Sequence, residues 1–178
     1  MSPIVNRQPA LKPQDLYVLL ALLSRTEGAT TYPDLARFAG ISVSESHSSL
    51  KRAALSRLVL FENGRPAVQR IPLQEFLLHG APYAFPAVRG PLMRGVPTAY
   101  AVAPLNKLIA PSGEPVPVWP HAKGTVRGMS LLPLYPSAPD AALRNERLYE
   151  SLALFDALRI GNAREREAAQ RLLKKLLS

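Results

Sequence analysis

Cysteine is absent from this chain of 178 residues, which excludes disulfides and thiolate metal sites and fits a reducing compartment. Tryptophan occurs once and methionine three times. Long apolar runs are missing as well. The longest nearly apolar stretch, residues 16–23, is too short to span a bilayer. The opening residues Met-Ser-Pro-Ile-Val-Asn-Arg lack the hydrophobic region of a signal peptide. The expectation is a soluble, cytoplasmic protein with no membrane role. Acidic residues are scarce too, 13 against 22 basic, leaving a net charge of +9. A surplus of that sign favours polyanions, through phosphate neutralisation and counterion release.

Catalytic patterns are also lacking. His47, His79 and His121 lie in three different contexts, with no His-x-x-x-His, paired-carboxylate or nucleophile-elbow arrangement. Glycines are scattered singly and form no phosphate-binding loop. No enzymatic activity, cofactor or metal is expected. His79 reads as a structural residue near a helix end, stabilised there by the helix dipole. Trp119 suits a core or an interface, and less often a ligand pocket.

What is present is concentrated in residues 34–54. Asp34-Leu-Ala-Arg-Phe-Ala-Gly-Ile-Ser-Val-Ser-Glu reads as a helix, a tight turn and the start of a second helix. Ala36 is small enough for a neighbouring helix to cross closely, and Gly40 permits a sharp turn. Ser42 with Glu45 forms a capping box. Such a helix-turn-helix places its second helix in the DNA major groove. That helix is predicted from about Val43 to Arg57. Leu50, Ala53 and Ala54 should face the core, with Ser46 one turn earlier. Ser44, His47, Ser48 and Lys51 then share the opposite face, at spacings of three, four and seven. Serine, histidine and lysine suit base edges, while Arg52 and Arg57 flank the face and suit phosphates. A solvated polar face is the bland alternative. Lys12, Arg25 and Arg37 are further backbone-contact candidates that charge alone does not distinguish from solubilising residues.

Around this unit the signals continue. Residues 1–11 read as an arm. Pro13 suits the first turn of a helix whose Leu16, Leu19, Leu20 and Leu23 form one apolar face, ended by Glu27-Gly28-Ala29. Thr30-Thr31-Tyr32 is either a short strand or the entry to the next helix, with Thr31 and Asp34 a weaker cap. After the second helix of the unit, Asn63-Gly64 between apolar runs signals a hairpin over residues 58–70. Pro66 suits an edge strand. Arg65 at the tip is placed to enter a minor groove, where arginine reads width and potential. A helix over residues 72–79 follows, with proline at its start and Gly80 at its end.

Composition shifts at Gly80. Residues 80–139 hold two thirds of the 18 prolines and five aromatics, with sparse charge. Disordered linkers are poor in aromatics, so an extended, ordered arm is expected, with short strands at residues 98–102, 116–119 and 125–132 and a turn at His121–Gly124. From Pro139 the chain reads as a helical pair. Leu148, Leu152, Phe155 and Leu158 mark one helix. Asn162 and Glu165 cap a second, which carries Ala169, Leu172, Leu173 and Leu176. The domain expectation is therefore 1–80, 81–138 and 139–178, the last two being the dimerising parts.

Residues 11–80 resemble the winged helix-turn-helix domain of MarR-type bacterial transcriptional regulators. The resemblance rests on Asp34-Leu-Ala, Gly40-Ile-Ser-Val-Ser-Glu, Leu50-Lys-Arg-Ala and the Asn63-Gly64 hairpin. Position 46, usually aliphatic in such helices, is serine, which either loosens packing or bonds back to the preceding turn. The whole chain more loosely resembles small winged-helix proteins encoded beside nucleotidyltransferase-like genes, on Val118-Trp119-Pro120, Gly128, Pro133-Leu-Tyr-Pro136 and residues 154–166. These likenesses imply an α+β winged-helix fold and sequence-specific binding of double-stranded DNA. A homodimeric repressor on a pseudo-palindrome is implied, or an antitoxin-like adaptor for a neighbour-encoded protein.

Overall fold

The structure, a computed structural model, describes residues 9–25, 30–110, 113 and 115–178. Pro13 opens α1 (Pro13–Ser24) as expected. Its surroundings differ from the expectation of a single apolar face. Every residue from Asp15 to Ser24 is buried, the mark of a helix enclosed by others on all sides. It packs on the helix over Val43–Leu55 on one flank and on that over Glu146–Ile160 on another. The expected stop at Glu27-Gly28-Ala29 lies outside the described residues, as does most of the residue 1–11 arm.

The entry to α2 (Tyr32–Ala39) is helical rather than a strand. Thr31 Oγ1 accepts the Asp34 N–H at 3.3 Å, and the helix closes on Gly40 at φ +65°. Glycine is needed there twice over, because a Cβ would also stand 3.2 Å from the Ser137 Cβ. Ser42 and Glu45 then open α3 (Val43–Leu55) with the expected reciprocal cap. The helix ends two residues before Arg57 because Arg57 adopts φ +60°. Its N–H donates to the Ala54 carbonyl and that of Leu58 to Ala53, a Schellman closure that the strained Arg57 makes possible.

The hairpin follows as β1 (Val59–Glu62) and β2 (Arg65–Val68), antiparallel with Glu62 opposite Arg65. Asn63 and Gly64 both have positive φ, 50° and 75°, the type I′ geometry their sequence requires. Next comes α4 (Arg70–His79), which starts two residues before Pro72, and then a short α5 (Ala81–Ala84) where Gly80 was expected to end helical structure.

In the middle of the chain two of the three expected strands form, and with one not expected they make a closed sheet. Strands β3 (Arg89–Pro97), β4 (Pro117–Pro120) and β5 (Val126–Leu131) each pair with the other two, closing a small sheet on itself. β3 is antiparallel to both partners, and β4 runs parallel to β5. A turn does occur at His121–Gly124. Residues 98–102, expected as a strand, instead form a 3-10 turn over Ala99–Ala101. Closure depends on bare backbone: a Cβ on Gly124 would lie 2.3 Å from Gly95. β3 tolerates Pro91 because the register shifts between Arg89 and Leu92, and a bulge is where a strand accommodates proline.

The C-terminal part holds three helices among the described residues, not a pair: α6 (Ala138–Arg144), α7 (Glu146–Ile160) and α8 (Ala163–Leu177). Asn145 caps α7, and the expected Asn162–Glu165 box caps α8. α7 is buried at Leu148 and throughout Ser151–Leu158. The apolar side chains of α7 are thus enclosed by this chain itself. One apolar core joins α1, α2, α3, α4, α7, α8 and Trp119, so the expected boundaries at 80 and 138 do not separate independent cores. The whole is a mixed α+β structure with two small sheets. No helix is long and apolar enough to cross a membrane among the described residues.

Candidate nucleic-acid interface

The two faces of α3 divide as helical spacing demands. Ser46, Ser49, Leu50 and Ala53 are buried, and Ala54 is half-buried. Outward lie Ser44, His47 and Lys51, exposed, with Ser48 half-buried. The His47 ring packs against Tyr32, centroids 5.2 Å apart, so α2 fixes its orientation. Lys51, Arg57 and Arg65 are exposed and enter no ion pair among the described residues. The outer surface therefore offers hydroxyls, an imidazole and free cations along α3 and the hairpin tip, a donor-rich set for a polyanion.

Arg52 departs from its expected role. Its guanidinium forks onto Asp15 at 2.6 and 2.8 Å and also reaches Ser49 Oγ at 3.3 Å. Asp15 is fully buried and also accepts the Lys12 backbone N–H. A buried carboxylate requires such a counter-charge, so Arg52 is drawn inward and clamps α3 to α1. It leaves the phosphate-contact set. Arg25 is also occupied, donating to Thr30 and lying over the Phe38 ring. Arg37 makes an exposed pair with Asp34 at 3.5 Å.

A second clamp holds the amino end of α3. Glu45 accepts from Ser42 N–H and Oγ, from Tyr135 OH at 2.6 Å and from Gln14 at 3.2 Å. These donors, Tyr135 foremost, hold its pKa down at about 2. Ser137 Oγ and Tyr17 OH both donate to the Ala39 carbonyl at the turn between α2 and α3. Burial pushes the Tyr17 phenol up to about 12. Residues 135–137, far along the chain, thus fix the turn and helix that carry the candidate contacts.

Ser46 does not bond back to the preceding turn. Its buried Oγ has no hydrogen-bond partner among the described residues. Trp119 is core: its Nε1 donates to Asp156 at 2.7 Å. His121 lies 3.2 Å from Asp140, and His79 is exposed in the last turn of α4. Among the described residues, no cluster of His, Asp and Glu is arranged to hold a metal.

Sequence reasoning missed a second basic surface. α8 exposes Arg164, Arg166, Arg171, Lys174 and Lys175 opposite its buried Ala169, Leu173 and Leu177. Its signal in the sequence is the set of charged positions alternating with the apolar stripe. Compared with family models, curated proteins and solved structures, the chain matches none.

Proposed function

We propose that the chain is a sequence-specific double-stranded DNA-binding transcriptional regulator, built around a winged helix-turn-helix and acting as a homodimeric repressor. The observation that carries this reading is the outward row of Ser44, His47 and Lys51 on a doubly clamped helix, followed at once by a tight hairpin with Arg65 at its tip. Ser44, His47, Ser48 and Lys51 would read base edges in the major groove. Arg65 would enter the minor groove, and Arg57 would meet phosphate. A dimer would use surface other than α7, which this chain buries itself.

Fluorescence anisotropy of the chain against its own upstream duplex and a scrambled duplex, across a salt titration, tests the reading. Preference for the native duplex at physiological salt supports a regulator. Equal binding that collapses with salt leaves only a basic surface. Lys51→Ala should weaken specific binding by about 1–3 kcal/mol if it contacts a base, and weaken all sequences equally if it contacts phosphate. No loss would remove α3 from the interface.

A second reading, an antitoxin-like or adaptor protein, is favoured by the exposed apolar side chains of the closed sheet and its flanks, Val88, Leu92, Met93 and Leu132. Co-purification with a neighbour-encoded protein, without DNA binding, would support it.

A further inference from the structure

β3 and β5 set two arginines directly opposite each other: Arg94 and Arg127 are register partners in the antiparallel pair. Their neighbours decide which way they face. A Cβ on Gly95 would lie 2.1 Å from the Trp119 carbonyl oxygen, and one on Gly128 would lie 2.0 Å from that of Val116. Gly95 and Gly128 therefore turn their bare sides onto the backbone of β4 and the residue before it. Side chains alternate along a strand, so Arg94 and Arg127 share the outer face, and both are exposed. Register partners hold their Cβ atoms about 5 Å apart.

Like charges so placed destabilise a sheet. Neither arginine enters an ion pair among the described residues. Residues 86–137 hold five basic residues and one acidic residue, Glu114, which lies outside the described residues. Asp140, which reaches the turn between β4 and β5, is engaged by His121. Arg94 Nε donates to the Gly124 carbonyl, which ties that guanidinium to the turn and leaves its terminal nitrogens to an outside acceptor. Arg127 has no hydrogen-bond partner among the described residues. Two residues along the same face, Leu92 stands opposite Met129, and Leu92 is 51% exposed. The face is thus a row of two cations beside a row of two flexible apolar side chains. A rigid sheet that keeps this repulsion calls for a counter-charge from outside the chain.

We propose that Arg94 and Arg127 bind the phosphate group of a small, soluble phosphate monoester whose apolar body rests on Leu92 and Met129. The charges match. Two guanidinium forks meet a group that is nearly dianionic, and its three terminal oxygens accept from both. A phosphodiester of a nucleic-acid backbone carries a single charge and would leave the pair half neutralised. Two apolar side chains cover only a compact body. The site uses no residue of α3 or of the β1–β2 hairpin and does not rest on the DNA reading.

Side-chain NMR of the arginine Nε–H groups in the full chain, titrated with phenyl phosphate and with its monoanionic diester methyl phenyl phosphate, tests the site. The pH is held well above the second phosphate ionisation, at about 6. Phenyl phosphate should shift Arg94 and Arg127 saturably at millimolar concentration and bind at least about fivefold more tightly than the diester. Arg127→Gln, at an exposed position, should remove that preference. It should also raise the thermal midpoint of the free protein at low salt, because it relieves the repulsion. Leu92→Ser should weaken phenyl phosphate severalfold and leave inorganic phosphate unchanged. Arg166→Gln removes an equally exposed cation from α8 and should change nothing, which separates the site from the overall positive charge. Absence of saturation, equal binding of ester and diester, a comparable loss in Arg166→Gln, or an Arg127→Gln variant that keeps the preference or melts below the parent would each overturn the proposal. An unaltered Leu92→Ser variant would overturn the placement of the apolar body. Vesicles of phosphatidylcholine and phosphatidic acid should not co-sediment the chain. Co-sedimentation that Arg127→Gln abolishes would give the pair to a lipid surface and overturn the soluble ligand.

Discussion

The first helical unit and the closed-sheet region are each fastened by an arginine–aspartate pair, and the two pairs differ in how complete they are. Arg52 forks onto Asp15 with good geometry, and a backbone N–H and a serine supply further bonds. Its side chain remains 22% exposed, so water reaches part of it. Arg159 and Asp156 are both sealed in, and Asp156 must also satisfy Thr98 and Trp119, each at 2.7 Å. One carboxylate thereby ties two segments of the closed-sheet region to α7. The first pair ends as a finished clamp and the second as a hub with a donor to spare. Burial explains the contrast: the deeper pair gains more from each bond and loses more from any bond left unmade.

Removing the hub carboxylate should produce the largest effect. Asp156→Ala leaves the Arg159 charge buried and unpaired, and strands the Thr98 hydroxyl and the Trp119 N–H. A loss of about 5 kcal/mol is expected from such a site, read as a fall in the urea midpoint. Asp156→Asn retains an acceptor and should lose about half as much. If the two variants unfold alike, charge rather than hydrogen bonding holds the hub, and the contrast between the two pairs narrows.

At the other clamp, Arg52→Met keeps the side-chain stem and strands a carboxylate that retains one backbone donor. A destabilisation of about 3 kcal/mol is expected, again by urea denaturation. A variant that keeps full stability but loses DNA affinity uniformly would return Arg52 to the phosphate set and overturn its assignment as a clamp.

The two regions also differ in how much the sequence disclosed. Caps and turns depend on a few consecutive residues, so Ser42–Glu45, Asn63-Gly64 and Asn162–Glu165 are legible at once, while Thr31 leaves a short strand open as the alternative. The outward direction of Ser44, His47 and Lys51 followed from helical period alone. β3 was not legible, because Gly90, Pro91, Gly95 and Pro97 read as breakers until their bulge and close backbone contacts are seen. Its partners lie some thirty residues away. Arg52 was misassigned for the same reason: its spacing on α3 suits a surface cation, while its partner sits 37 positions earlier. Long-range pairing decides these cases, and no local pattern encodes it.

Ser46 gives a smaller test of the first region. Its hydroxyl is buried without a partner among the described residues. Ser46→Ala removes the orphan and leaves almost no cavity, so a stabilisation of about 1 kcal/mol is expected. A thermal midpoint below that of the parent would mean that the hydroxyl is satisfied in solution, and the first clamp would then be the more complete one in every respect.

The least disruptive probe is acid acting on Glu45. Its donors lower the folded-state pKa from 4.5 to about 2, so between those values the unfolded chain binds the proton more readily. Stability from this carboxylate is therefore complete above about pH 4.5 and is lost as pH falls towards 2. Other carboxylates titrate in the same window, so the global melting curve alone does not isolate it. Tyr135→Phe does, because Tyr135 is the foremost cause of the depression. Side-chain carboxyl NMR should show Glu45 titrating near the acid limit in the parent and at distinctly higher pH in Tyr135→Phe. Only this variant severs the tie between residues 135–137 and the amino end of α3 while sparing the Ser42 cap. An unchanged titration would mean that the cap and Gln14 hold Glu45 without Tyr135, and the two regions would then meet at the Ala39 carbonyl but not at the helix that carries the candidate contacts.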